Sequence, residues 1–245
     1  MNQSLMNPSL PLFTLPSDYS RIKVVKSFEE LIHTPFQNGI NAICWQRTLT
    51  GDFDEVVRHL AFQDDITTLD DDLLQSLPLS TAGKEAIATL LQDQQLLRDA
   101  GLAPILDCIR AYPRDEEPAA VPVHVYSFHA DSATVEADTY LCSYNESCSE
   151  GLRNEEAHRR VDQPDIRARL LEDFGGQDDE AFREYLNANC YDLHYAPLPN
   201  AQPFAFGIGN LWRIAVEYPG SPVPPCIHRA PENLPGRPPR LLLIS

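Results

Sequence analysis

In the stretch "YSFHADS" one histidine and one aspartate stand two residues apart, His129 and Asp131, the only His-x-Asp/Glu in the chain. Alternate residues of an extended strand share a face, so both side chains point one way while Phe128 and Ala130 point the other. An imidazole and a carboxylate on one face can clamp a divalent ion. A second imidazole can come from far along the chain, and His228 lies 97 residues after Asp131 (228 − 131) in a proline-rich stretch. Two histidines and one carboxylate are the ligand set of non-haem Fe(II) centres, which keep positions open for O₂ and a cosubstrate. Twelve residues beyond His228 (240 − 228), Arg240 opens the terminal apolar run "RLLLIS". Its guanidinium is suited to bidentate pairing with a carboxylate. With Fe(II), Asp131, Arg240 and a bound 2-oxoglutarate dianion the formal charges sum to zero, as a buried site requires.

Other residues compete for roles. Tyr140 could donate to a cosubstrate, and Arg213 and Arg229 could bind an acidic group on a substrate; Arg237 and Arg229 rival Arg240 for a carboxylate. Cys226 alternates with His228, and thiolate plus imidazole suits zinc better than iron. That leaves a non-catalytic zinc-handling protein as the alternative to an iron enzyme. His124 and His194 read as packed or solvent-facing strand residues, not ligands, and His158 as a solvated position. Trp45 reads as a core residue, with Arg47 at the surface or paired with an acid of a later polar insertion.

The elements that must carry these residues divide in two. Residues 1–20 hold three prolines without periodicity and read as a loose arm; residues 21–245 read as one α+β domain. Its first part, 27–112, is helix-rich: "SFEELI", "GDFDEVVRHLAF" with Asp52 or Asp54 as N-cap, and a longer helix from Ser80 or Thr81. "GINAICWQRTLTG" is a strand between them, and Leu102, Ile105, Leu106 and Ile109 repeat the helical spacing. "PRDEEPAA" is a solvated linker. Residues 121–245 are strand-rich, interrupted by a polar helical insertion at about 150–190. Helices ahead of such a β-rich half suggest a double-stranded β-helix, or jelly roll, with N-terminal helices.

Composition narrows the partners. With 36 acidic and 19 basic residues among 245 the formal charge is −17, which repels nucleic acid and anionic lipid. No apolar run reaches the ~18 residues that cross a bilayer, and the opening residues lack a signal-peptide pattern, so a cytoplasmic protein is expected. The six cysteines form no C-x-x-C pair and read as reduced thiols. The expected partner is a small molecule.

"NAICWQR", "FHAD" and "IHRAPENLPGRPPRLLLIS", in this order over about residues 39–245, resemble a bacterial family catalogued as domain of unknown function 1826. The His-x-Asp, distant His and following Arg are also similar to the Fe(II)/2-oxoglutarate oxygenase superfamily. That resemblance implies iron at His129, Asp131 and His228 and a cosubstrate carboxylate at Arg240. Where many of that superfamily carry a small hydroxyl residue two positions after the arginine, this chain has Leu242.

Overall fold

The computed structural model describes residues 15–62, 64–114, 119–232 and 236–245. The N-terminal arm and the centre of "PRDEEPAA" lie largely outside this set. A seven-stranded, mostly antiparallel sheet organises the fold. It contains β1 (Ile22–Val25), β2 (Ala42–Trp45), β3 (Ile66–Thr68), β4 (Ile105–Ile109), β5 (Asp138–Ser143), β10 (Leu211–Ala215) and β12 (Arg240–Ile244). Their order is β1-β2-β10-β5-β12-β4-β3, with only β1–β2 parallel. A smaller sheet is formed by β11 (Ile227–Arg229), β6 (Glu150–Leu152) and β9 (Phe204–Ala205), in that order. The strands β7 (Ala157–Arg159) and β8 (Tyr195–Pro197) pair separately. The described strands form a mixed α+β fold and do not close into a barrel.

The central strands of the large sheet, β2, β10, β5 and β12, are covered on both faces, which explains runs such as "RLLLI" that are apolar without alternation. One face bears Ile43, Leu106, Cys108, Tyr140, Cys142, Leu211, Leu241 and Leu243, packed on four helices. These are α1 (Phe28–His33), α2 (Phe53–His59), α3 (Asp71–Ser76) and α4 (Thr81–Asp99). Ser27, Asp52, Asp70 and Ser80 cap them, each accepting a backbone N–H of the first turn. The other face bears Cys44, Leu141, Trp212, Ile214 and Leu242, which meet Phe204, Phe206 and Cys226 of the small-sheet side.

Two expected elements differ. The stretch Leu102–Ile109, helical in spacing, contains strand β4: α4 ends at Asp99, Gly101 just beyond it adopts φ +82°, and Pro104 blocks a new helical turn. The polar insertion begins as β6 and β7 and becomes helical only at α5 (Pro164–Phe174) and α6 (Glu180–Ala188). Pro164 sits in the first turn of α5, where its missing N–H costs nothing. Phe182, Leu186, Leu170 and Val161 of this insertion form their own small core with Val121. All six cysteines are free, and no helix among the described residues is long and apolar enough to cross a membrane.

Candidate metal centre

The residues around His129 form an extended segment held between two neighbours. Its N–H and C=O bond to those of His228 on one side, both at 2.9 Å. On the other, Tyr195 N–H donates to Phe128 O and Ala130 N–H to Leu193 O. This reciprocal pairing places two imidazoles side by side, ring centroids 4.6 Å apart. Phe128 alternates to the opposite face and packs on Leu152 and Ile227. His129, Asp131 and His228 thereby each offer a ligand atom, all within 4.8 Å of one another. Asp131 Oδ1 lies 3.9 Å from His129 Nε2, and Asp131 Oδ2 lies 3.8 Å from His228 Nε2. Two atoms bound to one ion at ~2.1 Å can stand up to ~4.2 Å apart, and each imidazole meets that limit with a different oxygen of Asp131.

The tautomers suit that use. Carbonyls only accept, so His129 Nδ1–H donates to Ser127 O at 2.8 Å, and His228 Nδ1–H to Cys226 O at 3.3 Å. Each Nε2 then presents a lone pair toward Asp131, the arrangement that outer hydrogen bonds impose on metal-binding histidines. Burial, and secondly the neighbouring His228 ring, lower the His129 pKa from 6.5 to about 4. For Asp131 burial pushes upward, but the His228 ring, a 2.6 Å hydrogen bond from Thr139 Oγ1 and the His129 ring together hold its pKa below the usual value. At neutral pH the cluster therefore offers an ionised carboxylate and a neutral His129, so an ion entering need displace no proton from either.

Two expected outcomes follow. Removing the Thr139 hydroxyl frees Asp131 to rotate, so Thr139→Val should weaken divalent-metal affinity by about tenfold while fitting the strand. Competition with a chelating dye for Co(II) measures it; unchanged affinity would show that Thr139 does not orient the aspartate. In metal-free protein, His129 takes up a proton at lower pH when folded than when unfolded. The unfolded chain binds more protons between pH 6.5 and about 4, so stability present at neutral pH declines as pH falls through that window. Urea midpoints in the presence of a chelator should fall accordingly, and less steeply in His129→Gln. Parallel wild-type and variant profiles would contradict the assignment.

A cavity of about 460 Å³ opens beside the cluster, lined in part by His129, Asp131, Thr139, His194, Val125 and Ile244. His194, read from the sequence as packed or solvent-facing, lines this cavity. It is buried, its ring lies 5.6 Å from that of His129, and its Nδ1 is 2.5 Å from Ser127 Oγ. Ser127 thus holds one histidine through its carbonyl and the other through its hydroxyl. Neither role is legible in spacing, because both arise from contacts across the fold.

The other sequence candidates lie elsewhere. Tyr140 faces the helix layer, opposite to Thr139, and is buried there. Arg213 pairs with Asp138 at 2.7 Å and donates to the Leu31, Ile32 and Thr34 carbonyls, capping the C-terminus of α1. Arg229 pairs with Glu150 at 2.6 Å and stacks over Phe128. Arg237 pairs with Glu146. Cys226 gives its carbonyl to His228, but its thiol packs between the sheets, where burial raises its pKa strongly; it is not part of the cluster. Arg47 pairs with Asp93 of α4, not with the insertion. Arg240 does not line the metal cavity. It stands at the opposite end of β12 from Ile244, a distance of about 13 Å at the rise of a strand, with Leu242 buried between them.

Comparison with models of protein families, with curated proteins and with solved structures finds no match for this chain.

Proposed function

We propose that this protein is a mononuclear non-haem iron oxygenase that oxidises a small molecule bound in the 460 Å³ cavity. The observation that carries this reading is the convergence of His129, Asp131 and His228 with both Nδ1 atoms engaged by backbone carbonyls and both Nε2 atoms turned to the carboxylate. Fe(II) held there would supply the redox chemistry that O₂ activation needs. The chain's own residues would hold that centre in shape. Thr139 orients Asp131, Ser127 fixes the His129 tautomer and ties in His194, and Val125 and Ile244 line the cavity with apolar surface.

Strand order supports the same reading. From β4 onward the chain alternates between β4-β12-β5-β10 of the large sheet and a facing set made of the His129 segment, β11, β6 and β9. In sequence the visits run large, small, large, small, small, large, small, large, the sequence of a jelly roll made of two Greek keys. We read the two sheets as the halves of such a fold, with the metal cluster on the smaller one.

Iron fits the cluster better than 2-oxoglutarate fits the cavity. No described residue lining it is Lys or Arg, and the residues outside the described set contain neither. A dicarboxylate would thus lack a cationic side chain to pair with there, and an uncharged or cationic substrate is the better match. The test is anaerobic reconstitution with Fe(II), binding of nitric oxide followed by electron paramagnetic resonance, and O₂ consumption with and without 2-oxoglutarate. A nitrosyl signal that disappears in Asp131→Ala is the expected result. Stoichiometric zinc that resists exchange, with no nitrosyl signal, would instead favour a zinc protein.

A further inference from the structure

We propose that the cavity at the far end of β12 is a second binding site, for one small oxyanion, built on Arg240 and independent of the metal cluster. Arg240 is 5% exposed. Its Nη2 donates to the Tyr112 hydroxyl at 2.7 Å, and its guanidinium lies 5.7 Å from the centre of that ring. Its Nη1 is buried and has no hydrogen-bond partner among the described residues. No described carboxylate pairs with it, although the other well-buried arginines, Arg47 and Arg213, have Asp93 and Asp138. A buried cation whose one hydrogen-bond partner among the described residues is a neutral phenol is short of one negative charge, and such a deficit is costly unless a bound anion fills it.

The surroundings supply the rest of a site. Arg240, Arg237, Arg110 and Ser147 line a cavity of about 120 Å³ together with Glu146 and Glu232. Both of those carboxylates already have partners: Glu146 is 2.5 Å from Arg237, and Glu232 is 2.5 Å from Arg114. With Glu146 and Glu232 engaged by Arg237 and Arg114, neither neutralises Arg240, in a chain whose overall charge is −17. At ~30 Å³ per water the cavity holds about four waters, the scale of a single phosphate, sulfate or carboxylate group. Planar guanidinium donors match the oxygens of such groups. The lining of this cavity has no residue in common with that of the metal cavity, so the anion is not a ligand of the metal.

Calorimetry on metal-free protein with inorganic phosphate, sulfate, acetate and 2-oxoglutarate tests this directly. The expected result is one anion bound per chain, weakened by added salt, with the same affinity before and after Co(II) loading. Arg240→Gln should lose at least tenfold of that affinity while keeping Co(II) affinity. Should Arg240→Gln fail to fold, the wild-type titration decides by itself, and Arg237→Gln at the exposed rim should weaken binding severalfold. The proposal is overturned if none of the four anions binds metal-free protein at millimolar concentration. It is equally overturned if 2-oxoglutarate binds only after metal loading, which would make Arg240 part of the metal site. Failure of Co(II) to bind would defeat the iron reading and leave the anion site standing.

Discussion

His228→Ala is expected to lower Co(II) or Fe(II) affinity by roughly a hundredfold or more, a larger loss than for partners outside the ligand set. Three side chains supply the candidate ligands, and removing one leaves His129 and Asp131 with an ion they must share with water. Asp131→Ala should be at least as damaging, since it removes the only carboxylate of the cluster and with it the charge that neutralises a divalent ion. The loss has a second readout. Metal that binds only the folded state stabilises it, by about 2.7 kcal/mol at a hundred times the dissociation constant. Wild-type protein should therefore unfold at a higher temperature with Co(II), and His228→Ala should show almost no rise. His158→Ala is the control: it is exposed on β7 and outside the cluster, so its metal affinity should match wild type. If His228→Ala and His158→Ala bind Co(II) equally well, the three side chains do not form a metal centre.

The parts of this site that follow from strand alternation were legible in the sequence. A His and an Asp two residues apart must share a face wherever that segment is extended, and residues 128–131 are extended between two neighbours. The identity of the third member was legible from its type; its position beside His129 depends on a backbone pairing that no spacing encodes. Arg240 shows the limit. Its separation of twelve residues from His228 says nothing about which end of β12 lies at the cluster, and the pairing of Tyr140 with Ser245 puts Ile244 there and Arg240 at the other end. His194 and Thr139 were missed for a related reason: each matters through a hydrogen bond to a residue distant in sequence. The helices were read well where capping residues announce them, at Ser27, Asp52 and Ser80. Strand β4 was read as helix because Ile105 and Ile109 are as apolar as the buried Leu106 and Cys108, although Ile105 is exposed, so the period of two does not show in residue type.

The sheet that carries Thr139 is itself pinned by a charge pair, and breaking it should have the largest effect on stability. Asp93→Ala is expected to cost about 3–5 kcal/mol. Asp93 on α4 is 1% exposed. It accepts from Arg47 Nη1 at 2.7 Å, from Arg47 Nη2 and from the Tyr144 hydroxyl at 2.7 Å. Arg47 in turn donates through Nε to Gly209 O at 2.7 Å and lies 4.6 Å from the centre of the Trp45 ring. Burial alone would lower the Arg47 pKa, but the bonds to Asp93 outweigh it and the pKa is raised. Deleting the aspartate leaves that largely buried cation without its counter-charge and Tyr144 without its acceptor, so the penalty exceeds the net worth of the pair. The double variant Arg47→Met/Asp93→Ala removes both charges and should recover much of the loss, giving a coupling of at least ~2 kcal/mol in the cycle with Arg47→Met and Asp93→Ala. Urea unfolding of the four proteins measures it. If the effects of the two single variants simply add in the double, Arg47 and Asp93 do not act as a unit.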